Sequence, residues 1–352
     1  MIRHALAGLS LAELQNLLQP LPAFRARQVF HWLAQGVPSF EAMTDLTLPL
    51  RHDLANRFLL YSATVSQQLE DNDGTVKLQL SLQDNTRIEA VLLSDNEGRK
   101  TACLSTQAGC PVACVFCKTG SLGFSRNLSS PEIVEQFLHL SSIADIANIV
   151  IMGMGEPLLN LEALCAALAV FTGDLGISRR RITISTSGIV KGIRELASKR
   201  LGARLACSLT TADPTLREQL MPIARANPLP RLHDALAYYQ QEQGQRLTLE
   251  AVLLGGINTR EIDARALGAF VRGLDVVINL ITWNPISGLC FEGKPLREPS
   301  RREVERFGAL LEQQGIQVTR RFRKGIGIAG ACGQLGFNPH KQMDTTMSDT
   351  TR

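Results

Sequence analysis

The sequence predicts an α/β fold: an incomplete barrel of six strand–helix units, a (βα)6 arrangement, behind an N-terminal helical region and a small antiparallel β lead-in. Three observations predict it. From residue 100 onward, short β-branched runs alternate with helical stretches, as a parallel sheet with crossover helices requires. Between residues 61 and 94 apolar positions recur every second residue, the period of a strand. Across the first sixty residues they recur at helical spacing.

Ser10-Leu11-Ala12-Glu13 is a capping box followed by Leu14, Leu17 and Leu18, so a helix starts there. A second helix carries Arg25, Arg27, Val29, Phe30, Trp32 and Leu33. Thr75-Val76-Lys77-Leu78-Gln79-Leu80-Ser81-Leu82 alternates, with Asp73-Gly74 and Asp84-Asn85 as turn signals. Six barrel strands are expected at 101–105, 149–152, 182–185, 205–209, 247–253 and 276–281. Ser129-Ser130-Pro131-Glu132 opens a helix with a capping box and a proline in its first turn. After the sixth strand come a helix over 302–314, a seventh strand candidate around Val318 and a Gly-rich stretch, 325–336. The chain divides into a helical region (1–60), the β lead-in (61–95), the barrel with its Gly-rich loop (96–336) and a polar tail (337–352), whose residues 341–352 are expected to be disordered.

With 352 residues, of which 45% are apolar, the chain can bury an ordinary globular core. Glu13 interrupts the first twenty residues, and no stretch approaches the length of a membrane span, so neither signal peptide nor anchor is expected and the location is cytoplasmic. Eight cysteines in a reducing compartment point to metal or redox chemistry. Cys165, in an apolar helix pattern, and Cys290, in a loop, read as packed small hydrophobes. The net charge of +4 permits an acidic partner such as RNA without demanding one.

Cys110, Cys114 and Cys117 sit in Gly109-Cys110-Pro111-Val112-Ala113-Cys114-Val115-Phe116-Cys117, with no fourth cysteine or histidine close by. A cubane iron–sulfur cluster is held by thiolates, and such a loop reaches three irons and leaves the fourth without a protein ligand. A structural zinc knuckle wants four ligands and finds three. The motif resembles that of the radical-SAM superfamily, where S-adenosylmethionine binds the bare iron and is split to an adenosyl radical. Gly153-Met154-Gly155-Glu156-Pro157 follows the second strand: its glycines would let backbone approach a ligand, and Glu156 offers a carboxylate to an ammonium group. Ser185-Thr186-Ser187-Gly188, Ser208-Leu209-Thr210 and Trp283-Asn284-Pro285 end strands three, four and six, where chemistry gathers in such sheets.

Read together, Ala23-Phe24-Arg25-Ala26-Arg27-Gln28-Val29-Phe30, Met43-Thr44-Asp45-Leu46, Ile88-Glu89-Ala90-Val91, Cys103-Leu104-Ser105-Thr106-Gln107-Ala108-Gly109-Cys110, residues 148–160 and Ala331-Cys332-Gly333-Gln334-Leu335 resemble the RlmN/Cfr family of radical-SAM RNA adenine methyltransferases. The likeness covers nearly the whole chain. It implies a radical-SAM barrel, a [4Fe-4S] cluster on Cys110, Cys114 and Cys117, and S-adenosyl-L-methionine contacted by Gly155, Glu156, Ser185, Ser208, Leu209, Thr210 and Asn284. The implied catalytic residues are Cys332, methylated and then a carbon radical that adds to carbon 2 of an adenine; Cys103, which releases the product by forming a disulfide with Cys332; and Glu89, which takes the ring proton. On its own, Cys332 reads as a buried thiol near a turn, Cys103 as a packed strand cysteine and Glu89 as part of a solvated face.

The chain departs from the family pattern at Thr210, where histidine is usual, at Gly327, where aspartate is typical, and at Gly330, where alanine is typical. The two glycines are expected to loosen the loop and remove a charge. The resemblance further implies 23S rRNA as substrate, tRNA as a second substrate, an electron donor such as a flavodoxin, and a monomeric chain. Basic groups to contact phosphates are Arg25, Arg27, Arg179, Arg180, Arg181, Arg320, Arg321, Arg323 and Lys324. Three alternatives stay open: methylation at carbon 8, as in Cfr, a radical-SAM reaction on a non-RNA substrate, and a non-catalytic, metal-stabilised RNA-binding protein.

Overall fold

Serine hydroxyls start helices where the sequence spacing requires. Ser10 accepts the Glu13 N–H and Glu13 reaches back to the Ser10 N–H, opening α1 (Leu11–Leu17). The computed structural model describes residues 3–320 and 323–336; the expected polar tail and Arg321 lie outside the described residues. α2 (Ala23–Ala34) and α3 (Leu48–Arg57) complete the front end. Asp45 ties it together, accepting from Gln28 Nε2 at 3.0 Å and Trp32 Nε1 at 2.6 Å.

The lead-in forms three antiparallel strands, β1 (Thr64–Glu70), β2 (Val76–Ser81) and β3 (Arg87–Ser94). β3 pairs antiparallel with β4 (Lys100–Cys103), the first barrel strand, so the lead-in is hydrogen-bonded into the barrel sheet. β5 (Gln107–Gly109) and β6 (Phe124–Asn127) form a separate ribbon flanking α4 (Lys118–Ser121). α5 (Ser130–Ser141) then starts at the Ser129 capping box.

Five more units follow. β7 (Ile146–Ile151) leads to α6 (Leu161–Ala169), β8 (Ile182–Thr186) to α7 (Val190–Ser198), and β9 (Arg204–Ser208) to α8 (Pro214–Leu220) and α9 (Leu229–Gln243). β10 (Leu247–Leu253) leads to α10 (Glu261–Phe270), and β11 (Val276–Thr282) to α11 (Arg301–Glu312) past a small ribbon, β12 (Cys290–Phe291) and β13 (Lys294–Pro295). β14 (Gln317–Arg320) joins β11 in parallel as the seventh parallel strand. The order β1-β2-β3-β4-β7-β8-β9-β10-β11-β14 leaves β1 and β14 at opposite edges, so the barrel is incomplete.

One apolar core runs from Leu6 to Leu335. A smaller one, Phe116, Leu220, Met221, Leu254, Trp283 and Leu296, packs against Cys114, Val115 and Cys117. Cys290 is exposed, contrary to the packed position expected of it, because it lies in the β12–β13 ribbon outside both cores. Among the described residues no helix is long and apolar enough to cross a membrane.

Candidate active site

The cysteine loop is held before any metal enters. Gly109 has φ +77°, and a Cβ there would collide with the Gly123 carbonyl, so the ribbon can close only over glycine. Cys110 N–H donates to that carbonyl at 2.8 Å, Val115 N–H to Leu220 O at 3.0 Å, and Trp283 Nε1 to Phe116 O at 2.8 Å. Burial pushes the Cys110 thiol up to about 12 and raises Cys114 and Cys117 as well. Metal loading must therefore displace protons.

The three thiols line one cavity of about 140 Å³. Among the described residues no three Cys, His, Asp or Glu side chains converge closely enough to hold a single metal ion. Three thiols with no fourth protein donor among the described residues are a ligand set that suits a cubane, whose thiolates bind separate irons, better than structural zinc, which wants four.

Gly155 and Glu156 line the same cavity. A Cβ on Gly153 would lie 2.6 Å from Ser105 Oγ, and one on Gly155 2.6 Å from Gln107 Cβ, so the glycines admit the neighbouring strand end. Glu156 is 3% exposed, and its carboxylate accepts from Leu158 N–H (3.1 Å), Thr186 Oγ1 (2.8 Å), and Ser187 N–H and Oγ (both 2.7 Å). Four donors saturate it. Burial raises its pKa against the pull of those donors. Its carboxylate braces the ends of β7 and β8 at the wall of the cavity.

Ser185, Ser208 and Asn284 also line this cavity, whereas Leu209 and Thr210 are buried behind it. Ser185 Oγ donates to Glu250 Oε2 at 3.3 Å. Asn284 Nδ2 donates to the Cys332 carbonyl at 2.9 Å, while its buried Oδ1 has no hydrogen-bond partner among the described residues. Thr210 sits at φ +61°, an unfavourable conformation for a β-branched residue.

A second cavity, about 640 Å³, is lined by Cys103 and Cys332 together with Arg99, Arg180, Arg181, Arg204, Arg320, Arg323 and Lys324. The two cavities share Met152, Ile281, Asn284, Cys332 and Leu335. Cys332 is exposed, not buried, and stands at their boundary. Arg25 and Arg27 lie on α2 and line neither cavity. Glu89 also lines neither and is 2% exposed, against the solvated face expected of it, because β3 is covered on both faces.

Residues 5–60 match the model of the ribosomal RNA large subunit methyltransferase N-terminal domain, and residues 104–266 that of the radical SAM superfamily. A protein of Treponema denticola named as a probable dual-specificity RNA methyltransferase RlmN is 50% identical over 95% of this chain and 96% of its own length. The chain belongs to the RlmN family of radical-SAM RNA methyltransferases. An RlmN of Thermus thermophilus, named in the same words, is 39% identical over 95% of both chains. The crystal structure of a radical SAM methyltransferase from Sphaerobacter thermophilus superposes with a TM-score of 0.88 at 38% identity, covering 94% of this chain and 99% of that one.

One departure from the RlmN pattern, Gly327, has a structural counterpart. Gly327 donates its N–H to Asp71 at 2.9 Å, and a Cβ there would lie 2.8 Å from Asp71 Oδ1. A carboxylate thus reaches the loop from the lead-in in place of the aspartate typical there. Sequence reasoning missed four residues that line these cavities or bond to their lining. Glu250 had a signal, a carboxylate inside the apolar run of β10. Arg99 and Arg204 at the cavity had none. Neither had Arg217, which is 1% exposed and donates to the carbonyls of Ser187 (2.8 Å), Ser208 (3.3 Å) and Leu209.

Proposed function

We propose that this chain methylates carbon 2 of an adenine in 23S ribosomal RNA and in tRNA, with Cys332 carrying the one-carbon unit. The observation that carries the reading is Cys332 at the boundary of two cavities, one lined by the three cluster cysteines and the other by Cys103 and seven basic side chains. The dual specificity in the relatives' names supports two RNA substrates.

The residues fit a cluster and S-adenosylmethionine: three thiols on one cavity wall would hold the iron, and the unpartnered Asn284 Oδ1 offers an acceptor to the cofactor. When bound, these groups supply an adenosyl radical able to take hydrogen from a methyl group. Carbon 2 of adenine has no nucleophilic lone pair, so the carbon must come to it as a radical. Cys332 presents that carbon as a thioether and stays bonded to the base through it. Cys103, on the same cavity wall, attacks the Cys332 sulfur; the sulfur–carbon bond breaks, a disulfide forms, and the carbon keeps the electron pair and takes a proton. Restoring the aromatic ring after the radical adds removes the ring hydrogen as a proton, which needs a base, and one electron, which would return to the cluster. Glu89 lines neither cavity, so a proton bound for it has to pass through the Cys332 loop or an intervening water.

Arg180, Arg181 and Arg204 have no ion-pair partner among the described residues, which suits them to phosphate. A flipped adenine entering past them would meet Cys332. Mass spectrometry of nucleosides tests the reading in a strain lacking the protein, complemented with this chain. We expect 2-methyladenosine in both RNAs, lost with Cys332→Ala. Finding 8-methyladenosine instead would reassign the carbon, no methyladenosine would remove RNA as substrate, and full activity of Cys332→Ala would remove the carrier.

A further inference from the structure

We propose that Asp71 and Asp73, in the turn joining β1 to β2, are positioning residues for Cys332, latching the loop that carries it and setting how far the thiol travels between the two cavities. This rests on reading Cys332 as the methyl carrier. Each carboxylate works in two directions. The Oδ1 atoms hold the turn itself, Asp71 accepting from Asn72 N–H at 2.8 Å and Asp73 from Thr75 N–H at 3.0 Å. The Oδ2 atoms hold the loop, Asp73 accepting from Gly325 N–H and Asp71 from Gly327 N–H, both at 2.9 Å.

The loop is shaped to receive them. Gly325 has φ +69°, and a Cβ there would lie 2.8 Å from the Thr75 methyl; at Gly327 it would lie 2.8 Å from Asp71 Oδ1. The loop closes on itself through Gly330 N–H to Gly325 O at 2.8 Å. Lys77 Nζ adds a bond to Ala329 O at 3.2 Å. Beyond Cys332 the chain is fixed again, Gly333 O accepting from Lys118 N–H at 2.8 Å and Leu335 O from Thr119 Oγ1 at 2.6 Å. Between these anchors Ala331 O accepts from Gln334 N–H at 3.0 Å and Cys332 O from Asn284 Nδ2 at 2.9 Å, so a long excursion of the thiol requires an anchor to open. The hairpin side is the weaker. Gly327 and Ala329 are exposed, and Ala329 is held at φ +50°, a left-handed strain that opening relieves. Hydrogen bonds to carboxylates keep it shut.

The test uses the full-length, cluster-loaded chain with Asp71→Ala and Asp73→Ala combined, and with Asp71→Asn and Asp73→Asn combined in case the alanine pair folds poorly. We expect amide exchange in residues 325–330 to rise at least tenfold with alanine and less with asparagine, while β7 to β11 stay protected. Alkylation of Cys332 by iodoacetamide should quicken in the same order. Methyl transfer onto Cys332, read as added mass on the intact chain, should persist while RNA methylation falls about tenfold. Unchanged exchange and alkylation, or equal losses in both transfers, would overturn the latch. RNA methylation by Cys332→Ala would instead overturn the carrier reading, leaving any exchange difference as a separate result.

Discussion

Gly336 donates its backbone N–H to the Glu89 carboxylate at 2.7 Å, although 247 residues separate them in the sequence. Lys77 Nζ lies 3.2 Å from the same carboxylate and 3.2 Å from Ala329 O. The two charges form a buried pair, Lys77 5% and Glu89 2% exposed at the side chain, that grips the Cys332 loop on both sides.

Removing one member strands the other. Glu89→Ala leaves the Lys77 ammonium buried and unpaired, and should cost about 3 kcal/mol or more of unfolding free energy. Lys77→Met combined with Glu89→Leu should recover most of it. Denaturant unfolding of the two variants checks this; equal losses would show that the pair is not what the site depends on.

Arg217 should matter as a brace. Arg217→Met leaves the buried carbonyls of Ser187, Ser208 and Leu209 without this donor and should destabilise by roughly 3 kcal/mol. The expected readout is a lowered melting temperature together with weaker S-adenosylmethionine binding, because Ser208 lines the cavity proposed for that cofactor.

Glu135 predicts a pH dependence. It is fully buried beneath Ser62 and Ala63, whose N–H groups it accepts, and burial pushes its pKa from 4.5 up to about 7. The folded state then holds a proton that the unfolded state releases. The contribution is fully present below about pH 4.5 and is lost as pH rises through 7, a change on the order of 3 kcal/mol. Glu135→Gln should flatten that part of the stability profile. An identical slope in the variant would remove Glu135 as its source.

The cluster loop predicts metal content. Anaerobic reconstitution should give about four irons per chain, and Cys114→Ala should fall to background. One zinc per chain in the native protein would contradict the cubane reading.

Much of this was legible from local signals. The capping boxes at Ser10 and Ser129 act within four residues, and β10 occupies 247–253 as its apolar run requires. The cysteine spacing is likewise local. What the sequence hid depends on distant partners. Glu156 reads as a carboxylate at a strand end, and its partners Thr186 and Ser187, some thirty residues on, cannot be read from local spacing. Glu89 lies on an alternating strand, which implies one wet face, yet β3 is covered on both sides. Asp73 read as an ordinary turn residue, and its second oxygen acquires a use only when Gly325 arrives from the far end of the chain.

The central claim is that one thiol moves carbon from the cluster cavity to RNA, and trapping its bond to RNA tests that most directly. With Cys103→Ala the chain should methylate Cys332, add to the base and stop, giving a covalent protein–RNA product whose nuclease-resistant remnant maps by mass spectrometry to Cys332. Free methylated RNA at the wild-type rate, with no adduct on Cys332, would contradict the account.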